Sequence, residues 1–393
     1  MPPLKRSFIR FPTRVEFGAG MLAQLGGIAR PFGKRAYVIF DPFFEGSQTA
    51  ARALSFLHEA GVETIENYNT RPNPRAADMD EKAAECVQNG CDLVIALGGG
   101  SAIDIGKAVA MVATNGRSSW NYAALETHPY EEITEPPLPL IAVPTTSGTG
   151  SEATIYSVVT NPDLQRKCSI RSFLLYPAVA LIDPELMTGI PQQLTAMTGI
   201  DTFAHAYESY TNIKSTYFSR MIALESMRLF AENIETCCFH GDNVEARGAM
   251  AYAALLGGMA IAHCPCTIGH VLGQCLSGWT DAPHGGSLAT CTAPIIRWTL
   301  PEGLPQLAAV ARVFDRALPE DDRAAAHALP DLLNRLFERI LGGRVTMRTY
   351  GLTEAQQEPF SAFIYENYQG DMGNYVKVPT LNDIRFLVRQ CCG

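Results

Sequence analysis

The chain changes its hydrophobic periodicity once along its 393 residues, and that change constrains the fold more than any other feature. In the first half, short apolar runs alternate with stretches in which apolar residues recur every three or four positions. Short apolar runs are typical of buried parallel strands, and their alternation with helices predicts a parallel sheet with helices on both faces. We predict strands at residues 35–41, 62–68, 92–100 (running into a turn), 139–143 and 179–182, and helices at 48–60 and 76–86.

After Pro191 almost nothing alternates with period two, and helical spacing dominates. A chain of this length also exceeds one ordinary hydrophobic core. We therefore predict an α/β domain at residues 1–187 and an all-helical domain at residues 188–393. The predicted helices are 194–210, 217–238 and 245–264, three stretches between 301 and 341, and short ones after 353 and 381.

Composition excludes several classes of protein. Hydrophobic residues at 47% and charged residues at 18% are typical of a compact globular chain. The net charge of -9 argues against nucleic acid or an anionic membrane as a partner. No apolar run reaches the roughly 18 residues that span a bilayer, and the N-terminal segment lacks the apolar stretch of a secretory signal. The eleven scattered cysteines suit a reducing compartment, so we expect a cytoplasmic protein.

A glycine-rich turn follows the strand predicted at residues 92–100 and leads into a helix. Glycines let the backbone approach a ligand closely, and the N–H groups at a helix start attract phosphate. The turn is not a GxGxxG fingerprint, and a purely structural turn is the alternative. Asp104 and Lys107 nearby favour a nucleotide site. The candidate residues are Gly98, Gly99, Gly100 and Ser101.

Asp41 ends the strand predicted at residues 35–41. A carboxylate there can accept hydrogen bonds from ribose hydroxyls and repel the extra phosphate of NADP, which indicates NAD. The alternative is a solvated aspartate that caps the following turn.

A loop dense in hydroxyls and glycines, PTTSGTGSE at residues 144–152, closes another strand. Its side-chain and backbone donors can surround phosphates or a nicotinamide amide. The candidate residues are Thr145, Thr146 and Thr149, and an ordinary polar loop is the alternative.

Asp201 and His205 lie four residues apart on one face of a predicted helix, and His270 and His284 follow much later. One carboxylate and three imidazoles make a divalent-metal site with an open position for a substrate oxygen. These donors suit Fe(II), Zn(II) or Mn(II) without distinguishing them. Each histidine taken singly is more often a hydrogen-bonded core residue than a ligand.

The segment His263-Cys264-Pro265-Cys266 is a competing metal candidate. A C-x-C pair without a second matching pair is a weak zinc signal, and core packing by small sulfur residues is the favoured interpretation.

Six motifs together resemble the iron-containing alcohol dehydrogenases. They occur in the family's order up to about residue 290, whereas the last hundred residues match loosely. The motifs are FGAG (17–20), GGGSAIDIGKA (98–108), PTTSGTGSEAT (144–154), DPEL (183–186), TGIDTFAHAYESY (198–210) and PHG (283–285).

The resemblance implies an enzyme of the dehydroquinate synthase-like, iron-containing alcohol dehydrogenase fold, with a nucleotide-binding α/β domain and a metal-binding helical domain. It would interconvert a small alcohol and an aldehyde or ketone with NAD and a divalent metal, Fe(II) before Zn(II), as a homo-oligomer. The implied metal ligands are Asp201, His205, His270 and His284. The implied nucleotide contacts are residues 98–101, Thr145, Thr149 and Lys167, with Asp41 where NAD-preferring members carry an acid.

The chain departs from this pattern at Gln274, where many members carry a histidine that relays or positions a proton. This departure puts the proton path in doubt. Water or the cofactor ribose could replace the histidine, or the substrate range could differ from simple primary alcohols.

Two other functions compete with a dehydrogenase. One is an NAD- and metal-dependent lyase of the dehydroquinate synthase type, which would need a Lys/Arg cluster near the ligands that the helical half lacks. The other is a non-catalytic dinucleotide-binding protein, against which the complete ligand set argues.

Overall fold

The computed structural model of the chain describes residues 7–124 and 130–393, so the first six residues of the N-terminal segment lie outside it. The chain divides into two compact units. An α/β unit comprises Phe11–Thr146 and Gly150–Gly189, and a helical unit comprises Ile190–Gly393, Ser147–Thr149 and the described residues up to Arg10. The domain limits 1–187 and 188–393 stay a prediction.

The α/β unit is built on a six-stranded parallel sheet in the order β1-β9-β6-β4-β2-β3. All five predicted strands belong to it. Four of them are largely apolar and buried, whereas the strand predicted at residues 62–68 mixes polar and apolar residues. The strands are β1 (Arg14–Phe17), β2 (Arg35–Phe40), β3 (Glu63–Asn67), β4 (Leu93–Gly98), β5 (Ala123–Ala124), β6 (Leu140–Pro144), β7 (Tyr156–Asn161), β8 (Arg166–Arg171) and β9 (Val179–Ile182). The helices of this unit are α1 (Leu25–Ala29), α2 (Gln48–Glu59), α3 (Ala76–Gln88) and α4 (Gly100–Asn115).

A second sheet, antiparallel and in the order β5-β8-β7, was not predicted. Strands β7 and β8 mix charged and polar residues with apolar ones and pair through a short local turn, and β5 has only two residues, so none of the three has the apolar run of a main-sheet strand. Strand β1 was also missed, because it has four residues and its ends are exposed.

Two motifs of the resemblance hold the edge of the main sheet together. The carboxylate of Asp183 accepts hydrogen bonds from the backbone N–H of Gly20 at 3.1 Å and of Leu22 at 2.9 Å. Gly20 has a φ of 77°, which a glycine adopts without strain. The FGAG and DPEL segments are therefore structural partners at the carboxyl ends of β1 and β9.

The helical unit contains no β-strand among its described residues, which confirms the predicted fold class. Its helices are α5 (Gln192–Thr211), α6 (Tyr217–Phe239), α7 (Val244–His263), α8 (Ile268–Thr280), α9 (His284–Phe314), α10 (Asp322–Leu341), α11 (Glu354–Asn367), α12 (Gln369–Met372) and α13 (Leu381–Cys392).

The helical prediction was wrong in part. Helix α8 and the first part of α9 were missed, and the region from 301 to 341 holds the end of α9 and all of α10 rather than three stretches. Pro294, Pro301 and Pro305 all lie inside the 31-residue α9. Prolines remove a helical hydrogen bond, so burial of one face of α9 must offset that loss.

Among the described residues no single helix combines the length and apolarity needed to cross a membrane. Helices α7 and α8 pass that criterion only as a pair, with a bend of 103° between them.

Phe203 fixes the orientation of α5 within the helical unit. Its ring is fully buried and lies 5.5 to 6.0 Å from the rings of Phe230 on α6, Phe314 on α9 and Phe337 on α10. Aromatic contacts on three sides leave α5 one rotation about its axis in which this ring is buried. That rotation also sets the direction of the polar face of α5.

We expect Phe203→Ala to lower the free energy of unfolding of the helical unit by about 3–5 kcal/mol, because it removes a buried ring and leaves a cavity. Urea denaturation followed by tryptophan fluorescence measures the change. Tyr217→Ala, at a side chain with 70% exposure, is the control. An effect of Phe203→Ala no larger than that of the control would contradict the packing role.

Candidate metal centre

Helix α5 carries three buried ionisable side chains on one face. Asp201, His205 and Glu208 are separated by four and three residues, so they lie one above another. They are only 3%, 6% and 3% exposed. Burying such groups costs free energy unless they are paired or bind a cation. The face therefore needs partners from other helices or from a ligand.

His270 on α8 and His284 at the start of α9 complete the cluster. The Nε2 atoms of His205, His270 and His284 lie 3.5, 3.6 and 3.5 Å from the same atom, Oδ1 of Asp201. These distances exceed the usual N–H···O hydrogen bond of about 2.9 Å. Two ligands about 2.1 Å from an ion in a tetrahedral arrangement are about 3.4 Å apart. The three nitrogen-to-oxygen distances fit pairs of ligands on one divalent ion, and the ligand atoms of Asp201, His270 and His284 also lie within 4.8 Å of one another.

Two atoms at the middle of the cluster have no hydrogen-bond partner among the described residues. Oδ1 of Asp201 and Nε2 of His270 are buried and unpaired within the described structure. Buried polar atoms are almost always hydrogen-bonded, to protein or to ordered water. A carboxylate oxygen and an imidazole nitrogen that face each other without a hydrogen bond are typical of atoms that donate to a metal.

Glu208 sets the orientation of His270. Its Oε1 lies 2.6 Å from Nδ1 of His270, and its Oε2 accepts hydrogen bonds from the N–H of Thr267 at 2.6 Å and from the hydroxyl of Thr267 at 3.0 Å. With the proton on Nδ1, the lone pair of Nε2 points into the cluster, as in carboxylate–histidine–metal triads. A Cβ at Gly269 would lie 2.4 Å from Oε1 of Glu208, so only glycine fits there.

The sequence analysis missed Glu208. A signal was available, because Glu208 extends the spacing of Asp201 and His205 by one further helical turn. Its partner lies 62 residues away in sequence, so the contact itself was not visible without the fold.

Electrostatics within the cluster favour a cation. Burial raises the pKa of Asp201, but the neighbouring imidazoles outweigh burial and hold that pKa well below its usual range. Burial likewise raises the pKa of Glu208, and His270 reverses the shift. Burial lowers the pKa of His205 to about 4, so its ring is neutral near pH 7, the form that binds metals. Two anionic carboxylates and a neutral imidazole thus face one another in a buried space.

The competing segment 263–266 does not form a site of its own. Nδ1 of His263 lies 2.7 Å from the carbonyl of Met259, and its Nε2 accepts a hydrogen bond from the N–H of Arg10. Cys264 is fully buried, as core packing predicts. Cys266 differs, because its sulfur and ring nitrogens of His205 and His270 all lie within 4.8 Å of one another.

The glycine-rich turn lies at the carboxyl edge of the main sheet in the α/β unit. Gly98 ends β4, and Gly99 precedes α4 without any side-chain cap on that helix. A Cβ at Gly98 would lie 2.7 Å from Cβ of Ala102 and 3.1 Å from Cβ of Asp41. The N–H of Thr145 donates to the carbonyl of Gly98 at 3.0 Å. The structure thus brings Asp41, Gly98 and Thr145 together.

The remaining candidate nucleotide-binding residues do not all lie together. Gly100 and Ser101 begin α4, and a Cβ at Gly99 would lie 3.5 Å from Oγ1 of Thr146, so these residues adjoin the same edge. Thr149 groups with the helical unit. Lys167 lies on β8 of the antiparallel sheet, where its Nζ donates to Asn73 Oδ1 at 2.8 Å.

Asp41 has the capping role that the sequence analysis gave as its alternative. Its Oδ1 accepts a hydrogen bond from the N–H of Phe43 at 3.1 Å. A carboxylate has further acceptor positions, so this bond is compatible with a second role toward ribose hydroxyls.

Asp104 and Lys107 anchor the threonine-rich loop. The Nζ of Lys107 donates to the carbonyl and hydroxyl of Thr154, both at 2.9 Å, and to the carbonyl of Tyr156 at 2.7 Å. Asp104 accepts from the hydroxyl of Ser151 at 2.7 Å. Burial lowers the pKa of Lys107 to about 8. Both residues hold protein groups, so they do not support the nucleotide interpretation of the turn.

Comparison with known proteins identifies the family. The family model "Iron-containing alcohol dehydrogenase" matches residues 12–184, and "Fe-containing alcohol dehydrogenase family, C-terminal" matches residues 195–389. The chain belongs to the iron-containing alcohol dehydrogenases. This confirms the resemblance carried by the six motifs and makes the chain an oxidoreductase of the alcohol dehydrogenase type.

Alignments with individual relatives span most of the chain. It is 34% identical to the 1,3-propanediol dehydrogenase of Klebsiella pneumoniae over 301 residues, 76% of each chain. It is 30% identical to the NAD-dependent methanol dehydrogenase of Bacillus methanolicus over 275 residues, 70% of this chain and 71% of that one. The crystal structure of an archaeal halo-thermophilic alcohol dehydrogenase from a Red Sea brine pool is similar at a TM-score of 0.92 and 29% identity, covering 98% of this chain and 100% of that one.

We expect Glu208→Gln to weaken metal binding by about 10- to 100-fold, because the neutral amide holds the Nδ1 proton of His270 less strongly. Zinc titration against a competing chelator measures the affinity. Glu225→Gln, at a surface carboxylate paired with Arg228, is the matched control. Equal affinities for both variants, with unchanged circular dichroism, would show that Glu208 does not support the centre.

Proposed function

We propose that this alcohol dehydrogenase interconverts a small alcohol and its aldehyde or ketone with NAD(H), using a divalent ion held by Asp201, His205, His270 and His284. The observation that carries the proposal is the convergence of three imidazole nitrogens on one carboxylate oxygen, each 3.5 to 3.6 Å from it. Fe(II) is the proposed ion, with Zn(II) as the alternative. The family description supports iron, and the nitrogen and oxygen donors suit both ions.

Each side chain of the centre has a task that follows from its contacts. When bound, the ion polarises the substrate oxygen and the nicotinamide exchanges the hydride. Asp201 supplies negative charge at the middle of the cluster. Glu208 retains the proton on Nδ1 of His270 and so keeps Nε2 of that ring available. The low pKa of His205 keeps its ring neutral across the physiological range.

The nucleotide contacts are proposed for the turn and the neighbouring loops. The uncapped start of α4 presents backbone N–H groups that suit a pyrophosphate, which supports a role for Gly98, Gly99, Gly100 and Ser101. Thr145, Thr146, Thr149 and Lys167 are proposed from the resemblance to the family. Asp41 is proposed to accept a hydrogen bond from a ribose hydroxyl and to disfavour NADP.

The proton released on alcohol oxidation must leave without a histidine at position 274. The amide of Gln274 does not titrate, so it can position a water molecule but cannot carry the proton itself. We propose that water or the cofactor ribose passes the proton to solvent.

The surroundings of the enzyme are proposed from its composition and its family. All eleven cysteines lie within the described residues and are free thiols, which supports a reducing cytoplasm. Assembly into a homo-oligomer, a dimer or larger, is proposed on the resemblance to the family. The proposed substrates are small alcohols and aldehydes.

We expect His270→Ala to lower turnover by at least roughly a thousandfold while NAD binding persists, because Lewis-acid stabilisation is worth several kcal/mol. NADH absorbance is followed across a panel of alcohols and aldehydes, with Fe(II), Zn(II) or a chelator added. NAD affinity is measured separately by calorimetry. The control is His327→Ala, at an exposed histidine on α10.

The outcomes separate the competing functions. Near-normal turnover in His270→Ala, or in metal-stripped protein, would contradict a metal-dependent reaction. Tight NAD and metal binding without NADH formation from any alcohol would favour the lyase. A metal content well below one ion per chain would favour the non-catalytic binding protein.

We expect Asp41→Ser to lower the preference for NADH over NADPH by about tenfold, since one charge repulsion near the protein surface is removed. The ratio of kcat/KM for the two cofactors measures the change with one substrate at fixed metal. Asp163→Ser, at an acid that follows β7, serves as the control. An unchanged ratio would leave only the turn-capping role for Asp41.

A further inference from the structure

The sulfur of Cys266 lies at the metal centre, although none of the proposed ligands is a cysteine. Its Sγ and one ring nitrogen each of His205 and His270 lie within 4.8 Å of one another. Asp201, His270 and His284 form a second such group, so the two groups share His270. Two donors on opposite sides of one ion are up to about 4.6 Å apart, twice a zinc–sulfur bond of about 2.3 Å. The sulfur of Cys266 therefore lies close to the range in which it can share one ion with His205 and His270, which are both proposed ligands.

The segment that carries Cys266 is fixed on both sides. The carbonyl of Pro265 accepts a hydrogen bond from Nδ2 of Asn212 at 2.8 Å. The N–H of Thr267 donates to Oε2 of Glu208 at 2.6 Å. Asn212 follows α5, and Glu208 lies within it, so the helix with two of the ligands also positions the cysteine. The sulfur is thus held beside the ligands by the same contacts that orient His270.

The centre also contains atoms that lack a partner. Nε2 of His270 and Oδ1 of Asp201 are buried without a hydrogen bond in the described structure. A cysteine that only packed in the core would adjoin apolar side chains rather than metal-binding groups. Cys266 instead adjoins imidazole nitrogens, which are metal-binding groups.

We propose that Cys266 is a fifth protein ligand, coordinating the ion as a thiolate together with the aspartate and the three histidines. The inference rests on the proposed function, in which this centre holds a divalent ion. Coordination releases the thiol proton to solvent. A sulfur donor favours Zn(II) and Fe(II) over Mn(II), which prefers oxygen ligands. The sulfur donor therefore narrows the choice of metal, which one carboxylate and three imidazoles leave open.

Cobalt substitution tests the inference independently of activity. We expect the wild-type chain, stripped and reloaded with Co(II), to bind one ion and to show a near-ultraviolet thiolate-to-cobalt charge-transfer band beside the visible d–d bands. Cys266→Ala should lose the charge-transfer band and keep the d–d bands. Cys264→Ala, at the other cysteine of the same C-x-C pair, is the matched control and should keep both.

The cobalt experiment distinguishes failure of the sulfur ligand from failure of the proposed metal centre. One Co(II) per chain without the charge-transfer band in the wild type, or with the band retained in Cys266→Ala, would overturn the sulfur ligand and leave the four-ligand centre intact. A wild-type chain that binds no divalent ion would overturn both.

Two further measurements test the sulfur ligand without the cobalt spectrum. X-ray absorption of the zinc-loaded wild type should show one sulfur neighbour at about 2.3 Å in addition to nitrogen and oxygen at about 2.0–2.1 Å. Competition between Zn(II) and Mn(II) should favour zinc less strongly in Cys266→Ala than in Cys264→Ala. A shell of nitrogen and oxygen only, or equal metal preferences in the two variants, would contradict the proposal.

Discussion

The burial of the Asp201 carboxylate among three imidazoles is the constraint on which the helical unit is organised. An isolated carboxylate costs several kcal/mol to bury, and the neutral ring of His205 that faces it recovers only part of that cost. A cation between the carboxylate and the rings would offset the remaining free-energy cost of burial. Packing on the opposite side of α5, through the ring of Phe203, keeps this arrangement from relaxing toward solvent. Stability of the core and affinity for the ion are therefore coupled through one helix.

Both units use a buried charged side chain on a helix to hold a loop. Glu208 accepts hydrogen bonds from the segment before α8, and Lys107 donates three to the end of the threonine-rich loop. In each case the charge is satisfied by backbone groups as well as side chains, so the loop has little freedom to shift. Both loops are thus as well fixed as the elements they connect, which is what positioning of reacting groups would require.

The sequence predicted the elements whose pattern is local. Continuous apolar runs revealed the central strands, and three- and four-residue spacing revealed α5, α6 and α7. Helix α8 was missed because Gly269 and Gly273 interrupt its apolar pattern, and the antiparallel sheet was missed because β5 has two residues and β7 and β8 mix polar and apolar residues without a regular period. The spacing of Asp201 and His205 was readable, whereas their convergence with His270 and His284 depends on helix packing. Glu208 and Cys266 act through contacts between distant segments, so no local pattern could assign their partners.

The lack of space at Gly269 means that the centre constrains a residue that is not itself a proposed ligand. A methyl group there would collide with the carboxylate that orients His270, although the glycine touches no ion itself. Homologues that keep the metal-dependent reaction must keep glycine at position 269. A homologue that lost the reaction would accept substitutions at 269 as freely as at the proposed ligands. Replacement of Gly269 in a descendant would therefore mark the loss of selection on the centre, even where all four proposed ligands were retained.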